Sequence, residues 1–166
     1  SIPALAIGIE SADKDVMNRR PRNPKENILG KTTPYLVAGS LFSTAIMLLL
    51  FLHLINISNV GDLKETRTIL LTAIIMFQLF FVFSFRSKKN ISEIGLFSNK
   101  PLVYSVVLAI LFHLAVLYTP MNTFFDVVPL TMKEWIYIIP ISLSGVFLAE
   151  SVKLIRKKKI NKVTQK

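Results

Sequence analysis

The stretch that decides the fold is YLVAGSLFSTAIMLLLFLHLINI, residues 35–57, which contains no lysine, arginine, aspartate or glutamate. About 20 apolar residues, each adding 1.5 Å, carry an α-helix across the hydrocarbon core of a bilayer. Three further runs almost without charge follow at residues 68–85, 102–118 and 135–155. The sequence therefore predicts an all-α, polytopic membrane protein with four transmembrane helices.

The overall composition agrees with burial in lipid. Hydrophobic residues make up 52% of the 166 residues, whereas soluble domains are about 45–50% apolar. The absence of cysteine excludes disulfide frameworks and thiolate metal sites. The apolar run at residues 2–9 has no basic leader and is too short to span, so we interpret it as the end of an earlier helix of a longer protein, not as a signal peptide.

The basic residues predict the orientation, because Lys and Arg accumulate in short cytoplasmic loops. All 20 except Lys64, Arg67 and Lys133 lie in the N-terminal segment, in the connection between the second and third runs, or in the basic end of the chain from Lys153 onward. Both termini are therefore expected to be cytoplasmic, and the net charge of +10 needs no nucleic-acid partner. Aromatic residues expected to anchor the boundaries are Tyr118, Trp135 and Tyr137 on the outer side and Tyr35 and Tyr104 on the inner side.

These assignments divide the chain into three parts. Residues 1–32 are interpreted as the end of a preceding helix plus a cytoplasmic loop, residues 33–155 as the four-helix transmembrane domain, and residues 156–166 as a basic cytoplasmic tail that contacts anionic lipid.

Small residues and a proline predict local features of the spans. Gly39 with Ser43, and Gly145 with Ala149, would let neighbouring helices approach closely. Pro140 lies inside the fourth span and removes one backbone hydrogen bond, so we expect a kink over residues 136–140.

The spans contain few groups that could bind a cation, which needs oxygen ligands inside hydrocarbon. Their only acid is Glu150, close to the cytoplasmic end, where it can pair with Lys153 one turn later. Gln78 lies well inside the hydrocarbon and is expected to face protein. It either forms an interhelical hydrogen bond worth about 0.6 kcal/mol or contributes to an ion path completed by other helices.

The remaining polar groups indicate no chemistry of their own. His113 is interpreted as a packing histidine, and His53 lies near the outer boundary. No Gly-rich phosphate loop, nucleophile elbow or metal-ligand cluster occurs in the sequence. The chain by itself is therefore expected to be neither catalytic nor cofactor-binding.

Three motifs resemble type II P-type cation pumps. The segments PALAIG at residues 3–8, DKDVM at 13–17 and RRPRNPKE at 19–26 resemble the connection between the sixth and seventh membrane helices of those pumps. SEIGLFSNK at residues 92–100 is similar to the connection between the eighth and ninth helices. PLT at residues 129–131, EW at 134–135, and Glu150 with Lys153 are similar to the entry and exit of the last helix.

The resemblance implies that the four spans are helices seven to ten, forming the C-terminal membrane module of a pump. It also implies that the phosphorylated aspartate and the sites for ATP and Mg²⁺ lie upstream, outside this chain. Gln78 stands where the eighth helix carries Glu or Gln near the ion site, whereas Phe81 stands where many members carry Asn or Asp. The loops look most like those of calcium pumps, so we expect calcium, with manganese, sodium or protons left open.

The resemblance further implies that the first loop couples the membrane helices to the upstream helices and the cytoplasmic phosphorylation domain. Its candidate coupling residues are Asp13, Asp15, Pro21, Arg22, Pro24 and Lys25. The alternative to a pump module is a stand-alone four-helix membrane scaffold or lipid-interacting subunit.

Overall fold

The structure, a computed structural model, describes residues 2–9, 17, 33–57, 63–86 and 90–164, with the backbone alone at 34, 35, 57 and 156–164. Its α-helices are α1 (Ile2–Gly8), α2 (Thr33–Ile57), α3 (Leu63–Phe81), α4 (Ile91–Ile94), α5 (Lys100–Tyr118), α6 (Met121–Phe124) and α7 (Met132–Thr164). Short 3₁₀ turns occupy Val82–Phe85 and Leu96–Ser98. No strand occurs in the described ranges.

Four helices are long and apolar enough to cross a membrane, which confirms the prediction of an all-α protein with four transmembrane helices. Their candidate spans are Leu36–Asn56, Leu63–Phe85, Lys100–Tyr118 and Met132–Ile155. Helix α3, the second predicted span, begins at Leu63, before the apolar run that starts at residue 68, because its polar first turn is also helical. Glu65 lies in that turn, where its negative charge stabilises the N-terminus of the helix.

The core is built around α3, which packs against α7, α2 and α5. Buried side chains from all four helices form one apolar cluster with Leu130 of the loop before α7. Its members are Leu50, Leu54, Ile69, Ala73, Met76, Leu117, Leu130 and Ile138. A second cluster of Ala6, Leu102 and Val106 seats α1 against the start of α5.

Gly145 permits the close approach of α7 to α3. A Cβ added at Gly145 would lie 2.5 Å from Cζ of Phe77, which is too near for any real contact. At Gly39 a Cβ would meet no described atom within 4 Å, so the helix contact expected there is not made within the described part of the chain. Pro140 lies inside the continuous helix α7, and the kink stays a prediction.

Candidate functional site

Gln78 lies on the wall of an open groove between α1, α3 and α5. The groove has a volume of about 690 Å³, and its lining is almost entirely apolar. The Gln78 side chain is exposed and has no hydrogen-bond partner in the described ranges. The expected interhelical bond is therefore not formed there, and both interpretations of Gln78 stay predictions.

The surroundings of Gln78 on α3 are aromatic. The Phe81 ring packs between those of Phe77 and Phe85, with ring centroids 5.4 Å and 4.8 Å apart. No group of three or more His, Cys, Asp or Glu side chains is placed together among the residues that the structure describes.

Glu150 joins α7 to the loop between α3 and α5. Its Oε2 accepts a hydrogen bond from the N–H of Ile91 at 2.8 Å, and its Oε1 lies 2.8 Å from Nζ of Lys153. Both side chains are largely buried, at 19% and 15% exposed. Besides pairing with Lys153 on its own helix, Glu150 thus caps the first turn of α4, which the sequence pattern did not predict.

Arg86 holds the other end of the same loop. Its Nη1 donates to the carbonyl oxygens of Gly95 and Leu96, each at 3.3 Å, and its Nη2 donates to Oγ of Ser98 at 2.7 Å. Gly95 has a φ of +85°, a conformation that side chains with a Cβ rarely adopt. The loop at residues 90–99 is therefore bound to α7 and to Arg86, which follows the 3₁₀ turn after α3.

Asn99 connects this loop to two further helices. Its Oδ1 accepts a hydrogen bond from the N–H of Leu102 in α5 at 2.9 Å, and its Nδ2 donates to the carbonyl oxygen of Ala6 in α1 at 3.2 Å. Asn99 is 6% exposed. The loop at residues 90–99 thus forms hydrogen bonds with α1, α5 and α7 and with the side chain of Arg86.

The two histidines occupy different environments. Nε2 of His113 lies 3.1 Å from Oγ1 of Thr72, and both residues are buried between α5 and α3. His53 is exposed, and its ring packs edge-on against Tyr137, with centroids 5.7 Å apart. His113 therefore has a hydrogen-bond partner in the core, as a packing histidine requires.

At the opposite end of the bundle, hydrogen bonds join the loop before α7 to the helix ends. Tyr118 donates its hydroxyl proton to the carbonyl oxygen of Leu130 at 2.8 Å and accepts a bond from Nε1 of Trp135 at 2.9 Å. The N–H of Val128 donates to Oγ1 of Thr68 at 3.2 Å. The polar atoms of the two aromatic residues therefore serve as internal contacts as well as candidate membrane anchors.

An exposed ion pair lies beside this loop. Oδ1 of Asp126 lies 2.5 Å from Nζ of Lys64, and Oδ2 lies 3.6 Å from Nη1 of Arg67. The hydrogen bond and charge of Lys64, with a smaller effect of Arg67, lower the pKa of Asp126 below its ordinary value.

Several predicted features lie outside the described side chains. They are the coupling residues Asp13, Asp15, Pro21, Arg22, Pro24 and Lys25, the anchor Tyr35, and the basic residues that begin the tail. Conversely, Asn99, Arg86 and Thr72 were not singled out for these contacts. Asn99 carried a usable signal, since an Asn before Lys100 and Pro101 is typical of a helix N-cap.

Comparison with known proteins identifies where such a bundle occurs. The family model described as "Cation transporting ATPase, C-terminus" matches residues 1–155. The chain is 30% identical over 158 residues to the calcium-transporting ATPase of Bacillus subtilis, covering 95% of this chain and 18% of the relative.

Two eukaryotic relatives are similarly close. Calcium-transporting ATPase type 2C member 2 of Rattus norvegicus is 33% identical, over 93% of this chain and 17% of the relative. Calcium-transporting ATPase 1 of Yarrowia lipolytica is 32% identical, over 91% of this chain and 16% of the relative. The chain thus spans less than a fifth of the length of these curated relatives.

Proposed function

This chain belongs to the C-terminal family of cation-transporting ATPases, and we propose that it forms the last four membrane helices of an ATP-driven calcium pump. The observation that carries the proposal is the match of the family over residues 1–155, together with relatives named as calcium-transporting ATPases. ATP and Mg²⁺ bind in the upstream cytoplasmic part of such a protein. The described ranges place no three His, Cys, Asp or Glu side chains together, and in this proposal the module supports ion-binding helices that lie upstream.

The three-part division of the chain and its orientation complete the proposal. Residues 1–32 and 156–166 lie on the cytoplasmic side, since they carry most of the basic residues. The tail contacts anionic lipid, because Arg156 and five lysines follow directly on the fourth membrane span. Residues 9–32 couple the membrane helices to the phosphorylation domain, with Arg22 and Lys25 among the contacts.

Transport by the complete protein tests the proposal. Purified and reconstituted into vesicles, it is expected to hydrolyse ATP in a calcium-stimulated manner and to accumulate calcium. Parallel assays with manganese and sodium decide the selectivity, and a variant lacking the phosphorylated aspartate is the inactive control. A complete protein without cation-stimulated hydrolysis or uptake would contradict the proposal and favour a membrane scaffold.

Gln78 borders the ion path in this proposal, because its amide faces the groove without a hydrogen-bond partner in the described ranges. Gln78→Ala is expected to weaken the apparent calcium affinity, because it removes an amide oxygen that upstream helices would use. Ser105→Ala is the matched control, since Ser105 lines the same groove but already donates to the carbonyl oxygen of Leu102 at 2.8 Å. Equal calcium affinity in the Gln78 variant and the unaltered protein would reduce Gln78 to a packing residue.

The coupling loop is tested by neutralising its basic residues. Arg22→Ala combined with Lys25→Ala is expected to slow the calcium-stimulated turnover, since charged side chains suit docking to another domain. Unchanged turnover at saturating calcium and ATP would remove these two residues from the coupling contacts.

A further inference from the structure

Asn99 caps two helices with one side chain. The first N–H groups and the last carbonyl groups of an α-helix have no partner within the helix. Leu102 lies in the first turns of α5 and Ala6 in the last turn of α1, and Asn99 binds the N–H of the former and the carbonyl oxygen of the latter. A side-chain amide can do this because it carries a donor and an acceptor, whereas a carboxylate only accepts.

In the described ranges, α1 packs against α5 through few buried side chains. One side of α1, with Pro3 and Ala6, is buried against α5, while Leu5 and Ile9 are more than 70% exposed. Apolar packing is non-directional, whereas the hydrogen bond from Asn99 to the carbonyl oxygen of Ala6 is directional and lies near the end of the helix.

The loop that contains Asn99 is itself bound by two further side chains. Arg86 binds the backbone of the same loop at Gly95 and Leu96, and Glu150 binds it at Ile91. The bond from Asn99 to Ala6 therefore connects the end of α1, through this loop, to α5, to α7 and to Arg86 after α3.

We infer that Asn99 is a positioning residue that fixes the end of α1, and with it the start of the coupling loop, against the rest of the bundle. The inference rests on the proposed function, because it is the coupling role of residues 9–32 that makes their starting point matter to transport. Movement of a cytoplasmic domain would reach the bundle through the Asn99 bond to Ala6.

Two substitutions separate the bond of Asn99 to Leu102 from its bond to Ala6. Asn99→Asp keeps an acceptor for the N–H of Leu102, and Asp is a good N-cap, but it has no donor for the carbonyl oxygen of Ala6. Asn99→Ser is also a good N-cap. Its shorter, uncharged side chain has a hydroxyl in place of the carboxamide and so lacks the Nδ2 that donates to Ala6. Asn122→Asp is the matched control, since Nδ2 of Asn122 donates to the carbonyl oxygen of Leu117 at the far end of α5.

The first measurement is the distance between α1 and α7 in the complete protein. Spin labels are placed at cysteines replacing Leu5 and Lys133, both exposed, after any cysteines elsewhere in the protein have been removed. The unaltered protein is expected to give a narrow distance distribution. Asn99→Asp and Asn99→Ser should raise the population with a displaced α1 roughly 2- to 10-fold, as loss of one hydrogen bond does, whereas Asn122→Asp should not.

The second measurement is the number of calcium ions transported per ATP hydrolysed. Lower amounts of folded protein reduce both rates together and leave this ratio unchanged, so a purely structural role does not move it. The ratio is expected to fall in Asn99→Asp and Asn99→Ser and to stay constant in Asn122→Asp.

The outcomes separate this inference from the proposed function. Unaltered distances in both Asn99 variants would overturn the inference, and so would displaced helices with an unaltered ratio. If the unaltered protein neither hydrolyses ATP nor takes up calcium, the proposed function fails, and the distances alone then decide whether Asn99 positions α1.

Discussion

Replacement of Gly145 by alanine tests the packing of α7 on α3. The added methyl group would lie 2.5 Å and 2.6 Å from two atoms of the Phe77 ring. The ring is 5% exposed and stacks on Phe81, so it cannot swing away freely. Overpacking of this kind costs about 1–3 kcal/mol, while alanine in place of glycine favours a helix by about 1 kcal/mol.

Gly39→Ala supplies the reference for this prediction, because a methyl group there meets no described atom within 4 Å. Both variants share the helix-propensity gain, so the difference between them isolates about 1–3 kcal/mol of packing. At roughly 2–4 °C per kcal/mol, Gly145→Ala should unfold about 2–12 °C below Gly39→Ala.

The assay is thermal unfolding of the chain in detergent, followed by the fluorescence of Trp135, its single tryptophan. Phe77→Leu should recover part of the loss when combined with Gly145→Ala, because the smaller side chain leaves space for the methyl group. Equal midpoints for Gly145→Ala and Gly39→Ala would refute the reasoning.

Two further predictions concern polar contacts. A double-mutant cycle of His113→Leu and Thr72→Val should give a coupling in the free energy of unfolding of about 0.6 kcal/mol and no more than about 1.7 kcal/mol, the range of membrane hydrogen bonds. If the two substitutions have additive effects on unfolding in detergent, the hydrogen bond contributes nothing. Lys64 lowers the pKa of Asp126 in the folded state, so the ionised Asp126 carboxylate stabilises the fold. This stabilisation is fully present above the unfolded pKa of about 3.9 and is lost as the pH falls through the lower folded pKa. Asp126→Asn should remove this part of the pH dependence of stability, and Glu65→Gln is the exposed control. An NMR titration that places the Asp126 pKa at or above its ordinary value would contradict the assignment.

Part of the site followed from local patterns. The spacing of Glu150 and Lys153 is a helix pair, and the ion pair is present in the structure. The cap that Oδ1 of Asn99 forms on α5 was not predicted, although an Asn before Lys100 and Pro101 carries that signal. The second partner of each residue was not predictable, because Ile91 and Ala6 lie 59 and 93 positions away along the chain.

The sequence by itself determined the all-α class, the number of spans and the family, because hydropathy and loop motifs are properties of continuous segments. Only the tertiary structure decided that Gln78 faces an open groove and that His113 forms a hydrogen bond with Thr72. It also decided that another helix packs closely at Gly145 and not, within the described ranges, at Gly39. The physical reason is that these contacts depend on how each helix is rotated about its axis. That rotation is set by side chains of several helices packing together, and no single segment encodes it.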